Sequence, residues 1–430
     1  MGEPNHPPSA ASAWRWVPTL YFCEGVPYVV AMTVSVILYK NLGVSNTAIA
    51  FATSWLYLPW VIKPLWSPVV DLVRTKRGWI ITLQLLLGAA LALLAFGVPA
   101  PHFFRLTLAA FWLLAFSSAT HDIAADGFYL FALGPHDQAA FVGVRSTFYR
   151  VAMIAGQGGL VYLAGVLQAP LGSPARAWSA AFLVAAAGFL LAGLYHAFVL
   201  PRPAADRPAA SGPRPLAGFL SVFAGFFRKP GIGAILAFLL LYRLAEAQLL
   251  KLVPPFLLDA RARGGLGLTT GQVGLIYGTL GIIALLLGGL VGGYAVARFG
   301  LKRMLWFMLL SMQLPLAVFV ALALGQPSSL LLIGGALTVE QFGYGFGFTA
   351  YMVYMMMVAD GEYRTAHYAL CTGFMALGMM LPGLPAGWIQ EQVGYPWFFV
   401  WVCLATLPSF LATALIKVAP DYGRRRPAGA

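Results

Sequence analysis

The sequence predicts an all-α integral membrane fold with twelve transmembrane helices in two pseudo-symmetric six-helix bundles. Three observations carry this reading. Of the 430 residues, 60% are hydrophobic and 10% charged, whereas soluble domains carry about 25% charged residues. No soluble fold of this length has interior enough for so much apolar surface, so lipid must be its solvent. The apolar runs, such as Ile80–Gly97, approach the ~20 residues a helix needs to cross hydrocarbon. Barrel strands would instead alternate apolar and polar over about 10 residues. Finally, a loop pattern recurs. Ser67-x3-Asp71-x2-Arg74-x-Lys76-Arg77 reappears as Gly293-x3-Ala297-x2-Gly300-x-Lys302-Arg303, an offset of 226 residues from Ser67 to Gly293. Each copy joins the second and third span of its half.

In order along the chain, the spans are read at 16–40, 45–68, 79–98, 104–131, 139–168 and 175–199, then 231–258, 271–297, 302–324, 329–358, 365–391 and 395–417. The first domain is therefore 1–199 and the second 230–430. Between them, 200–229 contains PRPAADRPAASGPRP from Pro201, a linker composition that reads as cytoplasmic. Leu216–Phe227 is apolar but too short to span, and is expected to lie along the membrane surface. Residues 1–13 are polar and Pro-rich, and no small-residue cleavage site follows in the right place, so the first apolar run reads as a retained span.

The net charge of +13 suggests nucleic acid at first sight. Its distribution points instead to membrane topology. With the N-terminus placed inside, 18 of the 27 basic residues fall in inner segments and 5 in outer loops. That bias puts both termini in the cytoplasm and leaves nucleic acid without a role. Cys23, Cys371 and Cys403 all lie in apolar runs, which excludes a disulfide framework and gives no metal spacing. No cofactor is expected.

The ionisable residues inside spans narrow the function. Such a side chain costs at least ~2.5–3.5 kcal/mol at helix centre. Asp122 and Asp126 share one face of the fourth span. Lys63, Arg150 and Glu24 lie at related depths, and these five can form one network in the N-terminal half. Two carboxylates one turn apart hold one proton tightly unless a cation lies between them, and such a group can carry protons. Asp71, with Arg77 and Arg145, reads as a structural ion cluster near the loop. In the C-terminal half Arg243 and Glu246 are three residues apart, and Glu340 is near mid-span. Arg243 or Arg150 can hold a carboxylate or phosphate bidentately. His121 and His367 are candidate proton relays. Tyr28 and Tyr149 are placed to stack on a sugar ring, and Gln157, Tyr242 and Tyr351 complete the candidate cavity lining. Pro27 in the first span and Pro254-Pro255 in the seventh should bend or break their helices. Gly343-Tyr-Gly-Phe-Gly347, inside a span, should let backbones approach closely rather than bind a nucleotide. Ser118, His121 and Asp122 crowd along one stretch of helix and cannot aim at one another as a catalytic triad, so an enzyme is not expected.

The repeated loop resembles the loop motif of the major facilitator superfamily, in which Asp71, Arg74, Arg77, Lys302 and Arg303 would form gating elements. A sharper resemblance is to the AmpG-type muropeptide permeases and their acetyl-CoA transporter relatives. It rests on Lys63-Pro-Leu-Trp66-Ser-Pro68-x2-Asp71 with Arg77-Gly-Trp79, and on Ser118-Ala-Thr-His-Asp122-Ile-x2-Asp126. Tyr149-Arg150, Tyr242-Arg243-x2-Glu246, Phe348-Thr-Ala-Tyr351 and Pro382-Gly-x2-Ala386-Gly-Trp388 extend it over nearly the whole chain. The resemblance implies a monomeric secondary transporter of the bacterial inner membrane, importing a cell-wall sugar–peptide with protons. Transport of another anion, such as an acyl-CoA or peptide metabolite, is the alternative. A solute sensor that does not transport would need an output domain, and no loop exceeds ~30 residues.

Overall fold

The computed structural model describes residues 10–204, 206–207, 223–361 and 364–424. Among them there is no strand, and ten helices are long and apolar enough to cross a membrane. The chain runs through α1 (10–41), α2 (46–73), α3 (Lys76–Gly97), α4 (Phe103–Ala132), α5 (135–171) and α6 (Pro174–Val199). After a helical turn at 223–227 come α7 (Ile232–Leu258), α8 (Thr270–Phe299), α9 (Leu301–Gly325), α10 (Leu330–Ala359), α11 (364–393) and α12 (395–415). The division between α11 and α12 is at Gly394, where φ is 75° and ψ 169°. A non-glycine side chain is strained in that region. Of the surface-lying segment expected at Leu216–Phe227, residues 216–222 lie outside the described ones, and 223–227 are helical.

Two compact units emerge. The first is Met1–Leu38 with Leu65–Pro213, the second Tyr39–Pro64 with Arg214–Ala430. The loop and upper part of α2 thus pack with the C-terminal residues.

In the first unit α3 packs between α4 and α6, and α1 lies against α4 and α5. Trp16, Tyr21, Phe128 and Tyr129 build its core, with Trp16 edge-on to Phe128 at 5.2 Å. In the second unit α10 packs on α8 and α9. The Gly343–Gly347 tract explains how. A Cβ on Gly345 would lie 2.0 Å from the Leu285 carbonyl oxygen of α8, and one on Gly343 2.2 Å from that of Ser311 on α9. Only hydrogen at these positions permits the approach.

Helix breaks differ from the sequence expectation. In α7 the helix runs on through Pro254 and Pro255, whose fixed φ is helical even though each removes a donor. The interruption falls instead at Tyr242 and Arg243, between Leu241 and Leu244. Gln313 Nε2 on α9 donates to the freed Tyr242 carbonyl at 3.1 Å, which meets the backbone need that a break in apolar surroundings creates. In α1 the residues just after Pro27 form a wide helical turn, Val30–Val34. Further wide turns occur at Ile154–Leu160 in α5 and Ile276–Leu280 in α8.

Candidate functional site

The first unit gathers charge around Asp126. Arg145 of α5 bonds its carboxylate at 2.7 Å, and Tyr21 of α1 donates to it at 3.3 Å. The Arg145 guanidinium lies over the rings of Tyr21 and Tyr129 at 4.5 and 5.2 Å, a cation–π arrangement that holds it against α1 and α4. Glu24 is 7% exposed and interacts electrostatically with both Tyr21 and Arg145. Tyr149 interacts with Tyr28, Asp122, Glu24 and Asp126. The structure therefore brings Glu24, Tyr28, Asp122, Asp126 and Tyr149 together. Arg150 is the next residue of α5, and Gln157 is buried in the wide turn beyond it.

Arg145, read with Asp71, pairs with Asp126, because the start of α5 faces α4 and α1. Arg77 bonds main chain, donating to the carbonyls of Leu200 (3.2 Å) and Ala197. The side chain of Asp71 lies outside the described residues. Lys63, grouped by sequence with the N-terminal charges, belongs to the segment that packs in the second unit.

The second unit centres on a buried pair. Arg243, left non-helical by the α7 break, donates from Nε and Nη2 to both Glu246 oxygens at 2.9 and 2.8 Å. Nη2 also donates to the Tyr344 hydroxyl at 2.7 Å, and the guanidinium lies 4.8 Å from the Phe348 centroid. Glu340 accepts from Gln341 at 2.9 Å and interacts with Glu246, with Tyr277 interacting with both. Tyr242 and Tyr351, expected to line a cavity, are core residues in this conformation. Both are 0% exposed and stack at 5.2 Å, with hydroxyls tied to the carbonyls of Gly347 and Leu239. Their aromatic area is consumed by packing.

The repeated loops serve helix starts. Arg74 donates to Thr82 Oγ1 at 2.6 Å. The Asp206 carboxylate, from the segment after α6, accepts the Lys76 and Arg77 amides at 2.6 and 3.0 Å, capping α3. At the equivalent start of α9, the Tyr422 carbonyl accepts the Leu301 amide at 2.9 Å. Lys302 and Arg303 are exposed there.

Several polar groups escaped the sequence reading. Gln84 and His196 are both 0% exposed. With Thr19 and His121 they form a chain across α1, α6, α3 and α4, at 2.9 Å (Thr19–His196), 2.8 Å (His196–Gln84) and 3.1 Å (Gln84–His121). Gln84 and His196 are each a lone polar residue in an apolar run, the kind of signal that marks intramembrane polar sites. His367 is buried beside Phe226. Among the described residues no group of His, Cys, Asp and Glu is placed to hold a metal.

Ten long apolar helices with charged clusters inside them mark a multi-span membrane protein, and the similarities that follow make it a membrane transporter of small molecules, on the major facilitator fold, rather than an enzyme. Solved structures agree on the fold. A D-xylose–proton symporter superposes with a TM-score of 0.71 at 12% identity, covering 96% of this chain and 99% of that one. The nucleoside transporter NupG gives 0.69 at 15% identity, covering 95% and 99%. The chain belongs to the BT1 family, which it matches over residues 24–239. It is also similar to the anhydromuropeptide permease of Escherichia coli K12, 26% identical over 373 residues, covering 85% of this chain and 72% of that one. The putative transporter AmpG 4 of Rickettsia conorii is 26% identical over 402 residues, covering 90% and 92%.

Proposed function

We propose that this protein imports a muropeptide-like sugar–peptide across the bacterial inner membrane by alternating access, driven by protons, acting as a monomer with both termini cytoplasmic. The relatives named above support the substrate class. The 18 to 5 distribution of basic residues supports the orientation. The two six-helix halves, 1–199 and 230–430, are its moving bundles, and 200–229 links them.

The observation that carries the mechanism is the Arg243–Glu246 pair. Its guanidinium fork is already filled by a carboxylate of the protein, at 2.9 and 2.8 Å. Protonation of Glu246 would release that fork to a carboxylate of the incoming solute, since guanidinium binds either bidentately. Tyr344 and Phe348 then flank the bound group. In the first unit, Glu24, Asp122 and Asp126 exchange protons, while Tyr28 and Tyr149 offer ring faces to a sugar. The test is uptake of labelled anhydromuropeptide in cells lacking their own permease. Accumulation should appear with this gene and collapse when the proton gradient is dissipated. Uptake that persists without a gradient would overturn the coupling. Accumulation only of another anion, such as an acyl-CoA or free peptide, would overturn the substrate class.

A further inference from the structure

We propose that Lys251 is a proton-carrying site of this transporter, releasing its proton when segment 39–64 docks on the rest of the second unit and regaining one when that segment leaves. The proposal rests on the transporter reading but not on any particular substrate.

Lys251 lies on α7 and is 3% exposed. Its Nζ makes one hydrogen bond, to Thr53 Oγ1 at 3.0 Å, and sits 5.1 Å from the centroid of the Tyr57 ring. An ammonium has three donors and a full charge. Burying it without a counter-charge is strongly disfavoured, and neutralisation is the usual escape. Among the described residues no carboxylate lies within ion-pair distance of it. The nearby acids are already engaged. Glu246, earlier on α7, is held by Arg243. Asp259, at the end of α7, is held by Lys40 and Arg263 and accepts from Tyr395. Glu391 is held by Thr47. From α2, Thr53 and Tyr57 face the amine. From α11 it meets Gly383, where a Cβ would lie 3.5 Å from Lys251 Cε. The first turn of α8, Thr270–Leu275, packs on α7 without an ionisable side chain.

Both groups that cover Lys251 belong to the docking segment, and the docking is close but polar. A Cβ on Gly387 would lie 1.9 Å from the Asn46 carbonyl oxygen. Lys40 bonds Asp259 at 2.7 Å and Asn46 at 2.8 Å. Asn46 donates to Gln390 at 2.5 Å and to Tyr395 at 3.0 Å. These side chains border a cavity of about 570 Å³ that also touches Gly43 and Arg263. Water can replace bonds of this kind at modest net cost, so the segment can be released. Releasing it uncovers Lys251 and allows it to be charged; docking expels the proton to water.

The test follows the docking directly. Ser54 is fully buried beside Gly383 and its hydroxyl has no hydrogen-bond partner, so Ser54→Cys is a mild reporter. With the three native cysteines changed to Ala, the protein is reconstituted in vesicles whose inner and outer pH are equalised by ionophores. Labelling by a small charged methanethiosulfonate is timed from neutral to mildly acidic pH. The thiol's own reactivity falls on acidification, so faster labelling in acid reports exposure. With Lys251 present, acidification should speed labelling several-fold. With Lys251→Gln the acceleration should vanish, and with Lys251→Arg labelling should be fast at every pH. Should the Gln protein not fold, Lys251→Met takes its place. Acid acceleration that survives in the neutral variant overturns the proposal. Labelling needs no solute, so a failed uptake assay leaves this result standing.

Discussion

The two units each contain an arginine–carboxylate pair, and the pairs are built for different work. Arg145 and Asp126 come from different helices, and their side chains are 29% and 46% exposed. Arg243 and Glu246 are three residues apart on α7, at 10% and 3% exposure. A half-solvated pair exchanges partners and protons with water at little cost, whereas a desolvated pair is held until something replaces one member. The first unit thus has a pair that solvent can reach, and the second a fork closed by a buried carboxylate.

The comparison can be broken by substitution, and the largest effect should come from the second unit. Glu246→Gln strands a buried guanidinium, which should cost about 3–5 kcal/mol. A marked drop in melting temperature together with loss of gradient-driven uptake is expected. Arg243→Met combined with Glu246→Met removes both charges and should recover most of the stability but none of the uptake. A double variant as unstable as the single one would show that the pair is not the source of the loss.

Gln313→Leu should rank next. It leaves the Tyr242 carbonyl at the α7 break unsatisfied, for about 1–3 kcal/mol, readable in the melting temperature. Wild-type stability would mean that the break does not depend on this cap.

Asp122→Asn should leave the melting temperature within error and abolish accumulation, while solute exchange without a gradient continues. Normal accumulation would reduce Asp122 to a structural polar group. The smallest change is expected for Asp126→Asn, which loses a partly exposed pair worth roughly 0.2–1 kcal/mol. Its melting temperature should fall only slightly and its uptake fall only partly. An effect as large as that of Glu246→Gln would erase the distinction drawn between the two units.

Much of the fold was legible because hydrocarbon imposes one rule on every span. Length and apolarity alone place α3, α4 and α6. The α7 break was not legible at Tyr242, because what permits it is Gln313, 71 residues away. Proline was the visible local signal, and it left the helix continuous at Pro254 and Pro255. The site was half legible. Charges in spans stand out one by one, so Glu24, Asp122, Glu246 and Arg243 could be named as candidates from the sequence. Their partners were not, since choosing Arg145 for Asp126 requires the crossing of three helices. Tyr344 and Phe348 had no mark that separates a charge-flanking ring from an ordinary core ring. Lys251 is a basic residue within the span read at 231–258, but its meaning depends on segment 39–64, which the contacts place with the second unit.

The two helix starts that close the repeated loops differ in how they can be lost. Asp206 holds α3 through a side chain, so one substitution erases that tie. Tyr422 holds α9 through its main-chain carbonyl, which every amino acid possesses. Side chains around the second tie are therefore free to drift, while the first constrains a single acidic position. Two copies of one loop pattern can in this way both start a helix and still differ in mutational robustness.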